Sequence, residues 1–272
     1  MHPDDKRQDR RWPSIRQTRP PDLSRYAKQT VFKPFGVEGQ KALLKSSALV
    51  VGIGGLGSWA AELLVRAGVG RIRLVDDDHV EISNIHRQSL YTQADAEARV
   101  LKIEAAAQRL HQINSDTEVE TVCSRLDRLT AENLMQDVDV VVDGMDNFES
   151  RFIVNDCAVK LSKPWVFAGV MGTKAQVMTI VPDKTACLRC LMDAPPAPEG
   201  GCTQHGVLGV AVAATAAFEA SEALKVLSGH LERVNPHLLV FDLWDNTVKQ
   251  IDVSAPRADC PCCVHRRFDF LG

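Results

Sequence analysis

A glycine-rich turn constrains this chain more than any other feature of its sequence. The run Gly52-Ile53-Gly54-Gly55-Leu56-Gly57 follows an apolar, β-branched segment at 48–53 and precedes a helical pattern at 58–67. Glycines allow the backbone to approach a phosphate closely, and the free N–H groups at the start of a helix attract anions. Asp76 ends the next apolar segment, where a carboxylate can accept hydrogen bonds from ribose hydroxyls. Strand, loop, helix, strand and acid in this order predict a nucleotide-binding unit.

The pattern beyond the loop predicts an α/β fold. Apolar strands alternate with helical stretches, the strands at 71–75, 118–123, 138–142 and 165–170 and the helices at 97–110 and 148–161. Unbroken apolar strands between helices indicate a Rossmann-like, mostly parallel sheet with helices on both faces. The later chain differs, with strands predicted at 175–181, 238–243 and 247–253 and an alanine-rich helix at 207–227. The turn signal Asp245-Asn246 predicts a hairpin, so antiparallel C-terminal strands should extend the same sheet.

Composition excludes several classes of protein. The chain has 272 residues, of which 45% are hydrophobic and 25% charged, as in globular proteins. A net charge of −3 disfavours a protein that binds nucleic acid mainly by electrostatics. The longest apolar stretch, 206–218, is shorter than the roughly 20 residues of a membrane span. The charged N-terminus lacks the apolar segment of a secretory signal, so we expect a cytoplasmic protein.

Two regions are expected along the chain. Residues 1–22 are polar, rich in arginine and without periodicity, which predicts a disordered basic arm. A role of this arm in binding nucleic acid or a partner is the alternative. Residues 23–272 are predicted to form a single domain.

Charged and polar residues after the loop favour phosphoryl or nucleotidyl transfer over hydride transfer. They are Asp76-Asp77-Asp78, Ser83-Asn84-Ile85-His86-Arg87-Gln88, Lys102 and Asp143-Gly144-Met145-Asp146-Asn147. Carboxylates at the end of a strand can hold Mg²⁺. Arg87 and Lys102 can neutralise charge on a triphosphate. No His or Tyr is clearly placed to face a nicotinamide.

These motifs, together with the pair Arg25-Tyr26, resemble the ThiF/MoeB/HesA family, bacterial relatives of the ubiquitin-activating E1 enzymes. The resemblance covers about residues 23–266. It implies an E1-like adenylation domain in which ATP adenylates the C-terminal Gly-Gly carboxylate of a small ubiquitin-like sulfur carrier. It also implies a homodimer, in which Arg25 reaches into the ATP site of the neighbouring subunit.

The resemblance implies roles for individual residues. Gly55 would lie at the phosphates and Asp76 at the ribose, while Asn84, Arg87 and Lys102 would contact the phosphates and Asp146 would hold Mg²⁺. The expected ATP-binding residues are Gly52, Gly54, Gly55, Gly57, Asp76, Asp78, Ser83, Asn84, Arg87, Lys102, Asp146 and Asn147. The expected catalytic residues are Arg25, Arg87, Lys102, Asp146 and Cys202. Lys102 follows Ala98-Arg99-Val100-Leu101 here, where the family has a Gly-x-Pro or similar turn.

Two C-x-x-C pairs predict a zinc site. Cys187 and Cys190 form one pair, and Cys260 and Cys263 form the other. Four thiolates suit tetrahedral Zn²⁺, and in the resembled family the same pairs hold a structural zinc. A redox dithiol or unligated buried thiols are the alternatives. Cys262 is a spare thiol inside the second turn, and its exchange with Cys263 as a ligand is a lesser alternative.

The remaining cysteines have separate predictions. Cys202 precedes the long helix, where its pKa would be lowered, and some family members have a cysteine there that bonds to the activated carrier or handles sulfur. An exposed loop thiol is the alternative. The adjacent His205 could tune Cys202 but more simply fills space. Cys123 and Cys157 are predicted to be core residues.

The resemblance therefore implies an adenylyltransferase in molybdopterin or thiamine biosynthesis or a related thiolation pathway. No rhodanese-like segment follows the second cysteine pair, so we expect a separate sulfur donor such as a cysteine desulfurase or a rhodanese. Three alternatives remain open. They are an E1-like relative acting on tRNA or a peptide, an NAD-dependent dehydrogenase, and a non-catalytic scaffold.

Overall fold

An eight-stranded mixed sheet forms the centre of the computed structural model, which describes residues 22–196 and 206–272. The strand order is β3-β2-β1-β4-β5-β6-β7-β8. The strands are β1 (Ser47–Val51), β2 (Arg71–Val75), β3 (Glu118–Val122), β4 (Val140–Asp143), β5 (Trp165–Met171), β6 (Lys174–Ile180), β7 (His237–Asp242) and β8 (Thr247–Asp252). Nearly all of the predicted N-terminal arm lies outside the described residues.

Helices cover both faces of the sheet. They are α1 (Ala27–Thr30), α2 (Gly36–Leu43), α3 (Gly55–Ala67), α4 (Gln93–Glu97), α5 (Lys102–Ile113), α6 (Ala131–Met135), α7 (Phe148–Lys160), α8 (Leu188–Leu191) and α9 (Gly209–Leu227). Short 3₁₀ helices lie at Ser24–Tyr26, Ile82–Asn84 and Leu231–Arg233. Successive residues of β1 enter different hydrophobic clusters, because side chains alternate along a strand: Val50 packs with α3 and α9, and Leu49 packs with α7.

The pairing of the strands confirms the predicted fold class. Strand β1 pairs in parallel with β2 and β4, and β4 pairs in parallel with β5. Strands β5 to β8 are antiparallel neighbours, and β7 and β8 form the predicted hairpin. The chain leaves β1 towards β2 and β3 on one side and returns as β4 on the other. In such sheets, ligands bind in the crevice at the carboxyl ends of the two strands where the order reverses, here β1 and β4.

The helix predicted at 97–110 begins later, at Lys102. Arg99 has a left-handed φ of 49°, and Leu101 is extended and bridges to His79. An extended residue cannot continue the helix of α4, so a new helix starts after it. Lys102 thereby becomes the first residue of α5, which directs it towards the carboxyl edge of the sheet.

The prediction that Cys123 is a core residue was wrong. Cys123 is exposed, just beyond the end of β3. Strand β3 is the edge of the sheet, and its residues are only partly covered. Cys157 in α7 is fully buried, as predicted.

Within the described part of the chain, no helix is both long and apolar enough to cross a membrane. The cytoplasmic location stays a prediction from the sequence.

Candidate active site

The glycine loop, residues 52–57, packs tightly against the residues that follow β4. Gly52 has a φ of +81°, a conformation that favours glycine. A Cβ atom added at Gly57 or at Gly144 would lie 1.9 Å from the Gly52 carbonyl oxygen, so only glycine fits at either position. Among the described residues, no side chain caps the first turn of α3. Its free N–H groups can therefore bind an anion in the crevice between β1 and β4.

Asp76, at the end of β2, holds the loop in place. Its Oδ2 accepts a hydrogen bond from the Ile53 N–H at 2.7 Å, and its Oδ1 accepts one from the Asp78 N–H at 2.8 Å. The Tyr91 hydroxyl donates to the Ile53 carbonyl at 2.6 Å, so Ile53 is held through both of its backbone groups. Burial raises the pKa of Asp76, although the charge of Lys102 opposes the rise.

Two of the predicted cations lie beside the loop. Lys102 is 7% exposed, and its Nζ donates to Asp78 Oδ2 at 2.8 Å. Arg87 lies beside Gly55, and a Cβ atom added at that glycine would be 4.0 Å from the Arg87 Cδ. The Arg87 guanidinium donates a hydrogen bond to the Ser83 carbonyl at 2.7 Å. Lys102 therefore reaches the site even though the residues before it differ from the family turn.

The two predicted asparagines hold the local backbone. Asn84 is buried, and its Oδ1 accepts from the Glu81 N–H at 3.0 Å. Asn147 caps α7 by accepting from the Ser150 N–H at 2.8 Å, and its Nδ2 donates to Asp146 Oδ1 at 3.2 Å. The Asp146 carboxylate is exposed at the carboxyl end of β4 and oriented by its neighbour.

Carboxylates at this edge fit a divalent cation. Asp76, Asp77 and Asp78 each place one oxygen within 4.8 Å of the others. Asp146 follows β4, on the opposite side of β1 from β2. Mg²⁺ binds oxygen ligands and is usually held by one or two carboxylates together with substrate phosphates.

One predicted catalytic residue, Arg25, is not brought to this site within its own chain. Arg25 is exposed, and its Nη1 donates to the Ile113 carbonyl at 3.1 Å. Ile113 ends α5, which at about 1.5 Å per residue puts it roughly 16 Å along the helix from Lys102. Cys202 and His205 lie outside the described residues, so their roles stay predictions.

A sulfur cluster, formed by Cys187, Cys190, Cys260 and Cys263, joins α8 to the C-terminal segment. The four sulfurs lie within 4.8 Å of one another. Individual separations are 3.6 Å from Cys187 to Cys260, 3.4 Å from Cys190 to Cys263 and 3.9 Å from Cys187 to Cys190. Tetrahedral zinc with bonds of about 2.3 Å would hold its sulfurs about 3.8 Å apart. The cluster could therefore hold zinc.

Cys262 is the spare thiol of this region. It is fully buried, and its sulfur accepts a hydrogen bond from Asn155 Nδ2 at 3.4 Å. The second turn thus brings Cys260 and Cys263 into the cluster, while Cys262 bonds to Asn155 of α7 and also lies near Cys187. This geometry favours the first of the two ligand sets that the sequence allowed.

A buried polar group behind the crevice was missed by the sequence analysis. Arg151 Nε lies 2.9 Å from Asp143 Oδ2, and Glu219 Oε1 accepts from the Asp143 N–H at 2.8 Å. Burial raises the pKa of Glu219 well above its ordinary value, and the nearby Asp143 carboxylate adds to the rise. The only sequence signal for Glu219 is an acid within an apolar, alanine-rich helix.

Comparison with known proteins identifies the family. The model of the ThiF family matches residues 26–262, which include the glycine loop, the cations and most of the sulfur cluster. The chain belongs to the ThiF family. The family resemblance inferred from the motifs is thereby confirmed.

Relatives of this ThiF-family chain carry adenylyltransferase names. A Bacillus subtilis sulfur carrier protein ThiS adenylyltransferase is 42% identical over 251 residues, which cover 91% of this chain and 73% of the relative. A Thermus thermophilus sulfur carrier protein adenylyltransferase is 40% identical, over 89% of this chain and 91% of the relative. An Aedes aegypti adenylyltransferase and sulfurtransferase MOCS3 is 35% identical, but the match covers only 55% of that protein.

Solved structures show the same fold. Escherichia coli MccB crystallised with ATP has a TM-score of 0.77 and 21% identity, over 88% of this chain and 74% of that chain. PaaA has a TM-score of 0.71 and 22% identity, over 86% of this chain and 74% of that chain. At these identities the likeness establishes the E1-like fold and nothing finer.

The raised pKa of Glu219 makes stability depend on pH. The folded protein keeps the Glu219 proton above the pH at which the unfolded chain releases it, so this contribution is complete in acid and declines as pH rises towards the folded pKa. We expect Glu219→Gln to gain stability relative to the wild type progressively above about pH 4.5. Urea unfolding at several pH values measures this. An E219Q difference that does not vary with pH would contradict the prediction.

The sulfur cluster predicts which cysteine substitutions release zinc. We expect the purified wild type to carry about one zinc per chain, Cys263→Ser to lose most of it and Cys262→Ser to keep it. Elemental analysis and release by a mercurial reagent measure the metal. Retention by C263S with loss by C262S would show that the two sulfurs have the opposite roles.

Proposed function

We propose that the chain is an ATP-dependent adenylyltransferase of a ubiquitin-like sulfur carrier. It activates the carrier's C-terminal Gly-Gly carboxylate and releases pyrophosphate. The observation that carries the proposal is the 42% identity, over 91% of the chain, to a relative named a sulfur carrier protein ThiS adenylyltransferase. ATP use is implied by the family. The carrier serves thiamine or molybdopterin synthesis, the former being favoured by the name of that relative.

The chemistry needs positive charge more than it needs a base. The carboxylate is already ionised when its oxygen attacks the α-phosphorus of ATP, so no proton has to be removed. The bond from that phosphorus to the bridging oxygen breaks as pyrophosphate leaves, and an acyl-adenylate forms. The barrier is the repulsion of two anions, which cations and backbone N–H groups held in position lower.

The residues at the crevice supply these groups. The N–H groups of the glycine loop and the side chains of Arg87 and Lys102 contact the phosphates. Asp76 accepts hydrogen bonds from the ribose while its other lone pairs hold the loop. The contact of Lys102 with Asp78 supports this assignment, since it holds the amine at the edge of the loop.

Asp146 is the residue that would hold Mg²⁺. When bound, the ion neutralises charge on the phosphates. The exposed carboxylate of Asp146, fixed by Asn147, supports this role.

The active unit is a homodimer with shared sites. Arg25 bonds to Ile113, which ends α5, whereas Lys102 of the same chain begins that helix. This separation supports a role of Arg25 at the ATP site of the neighbouring subunit. Zinc in the sulfur cluster is structural, because four thiolates leave no open position for a substrate. Sulfur comes from a separate donor protein, a cysteine desulfurase or a rhodanese.

Exchange of labelled pyrophosphate into ATP tests the reaction. We expect the wild type with Mg²⁺ and a diglycine-tailed carrier to catalyse exchange, and Asp146→Ala to lower the rate about a hundredfold or more. Glu149→Gln, which changes an exposed carboxylate in the first turn of α7, is the matched control and should stay active. No exchange with any diglycine carrier would refute the proposal, and reduction of NAD would favour a dehydrogenase.

Mixing inactive variants tests the shared site. Arg25→Ala and Asp146→Ala should each be inactive alone, whereas equal mixing should restore about a quarter of the wild-type rate, because half of the dimers are mixed and each has one intact site. Mixing R87A with D146A should restore nothing, since both residues then belong to the same chain's site. Equal behaviour of the two mixtures would rule out sharing through Arg25.

A further inference from the structure

Strands β4 and β5 separate next to the candidate site, and two side chains fill the gap. Their parallel pairing ends at Val142 and Val166. On β5, the Ala168 carbonyl, two residues beyond Val166, accepts from Arg151 Nη2 at 2.7 Å. The Asp143 N–H, at the end of β4, donates to Glu219 Oε1 at 2.8 Å. Side chains from α7 and α9 thus bond to backbone groups at the point where the pairing of β4 and β5 ends.

Glu219 makes a single hydrogen bond among the described residues. It is fully buried, and its Oε2 has no partner in that part of the chain. The charged groups that face it are Asp143 from β4 and Arg151 from α7, and these already pair with each other. Burying a carboxyl group for one bond is costly. The bond to Asp143 is therefore the specific contact that this side chain provides.

That bond lies directly behind the residues of the candidate site. Asp143 is followed by Gly144, whose N–H donates to the Val51 carbonyl at 2.8 Å and whose Cα packs on the Gly52 carbonyl. Asp146 follows two residues later. A shift of the Asp143 peptide would therefore displace both the wall of the glycine loop and the carboxylate proposed to hold Mg²⁺.

The helix that carries Glu219 also contacts the loop itself. A Cβ atom added at Gly55 would lie 3.1 Å from the Val212 side chain. A Cβ atom added at Gly209 would lie 2.4 Å from the His86 carbonyl oxygen, so the backbone of α9 closely approaches that residue. Helix α9 thus meets the site at the glycine loop, at the turn that carries Arg87 and, through Glu219, at the end of β4.

We propose that Glu219 is a positioning residue for the nucleotide site, which acts by holding the Asp143 N–H and thereby fixes Gly144 and Asp146 against the glycine loop. It needs to be a neutral hydrogen-bond acceptor, and it does not touch the substrate. The inference rests on the proposed function only in taking ATP with Mg²⁺ as the ligand.

Two variants separate this role from general packing. Glu219→Met keeps the length of the side chain but cannot accept the Asp143 N–H, whereas Glu219→Gln keeps a neutral acceptor. The matched control is Glu222→Met on the same helix. Glu222 is also buried, but it binds Thr179 Oγ1 and the Asn235 N–H, away from the crevice.

The measurement is the dissociation constant for ATP, by calorimetry, and its dependence on Mg²⁺ concentration. We expect E219M to bind ATP about tenfold or more weakly and to need more Mg²⁺ for half-maximal binding, because the buried Asp143 N–H loses its side-chain acceptor. E219Q should bind within about twofold of the wild type. E222M should lose thermal stability without changing either quantity. If E219M does not fold, Glu219→Asn replaces it, since its amide is too short to reach Asp143.

Each outcome decides the inference. Wild-type ATP binding by folded E219M, or equal losses in E219M and E222M, would overturn it, and so would a loss in E219Q as large as that in E219M. Binding of ATP by the wild type without carrier-dependent exchange would refute the proposed function but leave this inference standing. A wild type that does not bind ATP would overturn both.

Discussion

The carbonyl of Gly52 lies between two glycines, and the candidate site depends on this close approach of backbone to backbone. A side chain at Gly57 or Gly144 would fall within 1.9 Å of that oxygen. Because neither position has a side chain, the residues after β1 and after β4 can pack directly against each other. The glycine loop and Asp146 consequently meet at one crevice, together with Asp76 from the neighbouring strand.

The crevice requires polar groups behind it as well as within it. Where β4 and β5 diverge, backbone groups lose their strand partners, and buried backbone groups without partners are costly. Arg151 and Glu219 reach this point from two helices and bond to the Ala168 carbonyl and the Asp143 N–H. The ion pair of Arg151 with Asp143 offsets part of the cost of burying the two charges, although burial still raises the pKa of Asp143. The polar interior of this part of the fold is thus a consequence of the geometry that opens the site.

Local sequence predicted much of the fold and several of the site's residues. The glycine loop, the strand before it and the acid after β2 are close enough in sequence for their pattern to predict a nucleotide-binding unit, and the structure joins that acid to the loop by a hydrogen bond. The C-x-x-C spacing likewise predicted the four sulfurs that gather. The start of α5 was mispredicted because Arg99 and Leu101 adopt a left-handed and an extended conformation that alanine-rich neighbours concealed. Cys123 was misjudged because apolar character does not reveal which strand forms the edge of a sheet.

By itself, the sequence determined the features that depend on near neighbours: the strand and helix periods, the glycine turn and the two thiol pairs. The tertiary structure alone decided the contacts between distant segments. Glu219 and Asp143 are 76 positions apart, and Cys187 and Cys260 are 73 apart. Periodicity tells which face of a helix is buried, but the partner of a buried polar atom depends on which elements meet in space. Glu219 therefore looked like an isolated acid in an apolar helix until the fold placed it behind the site.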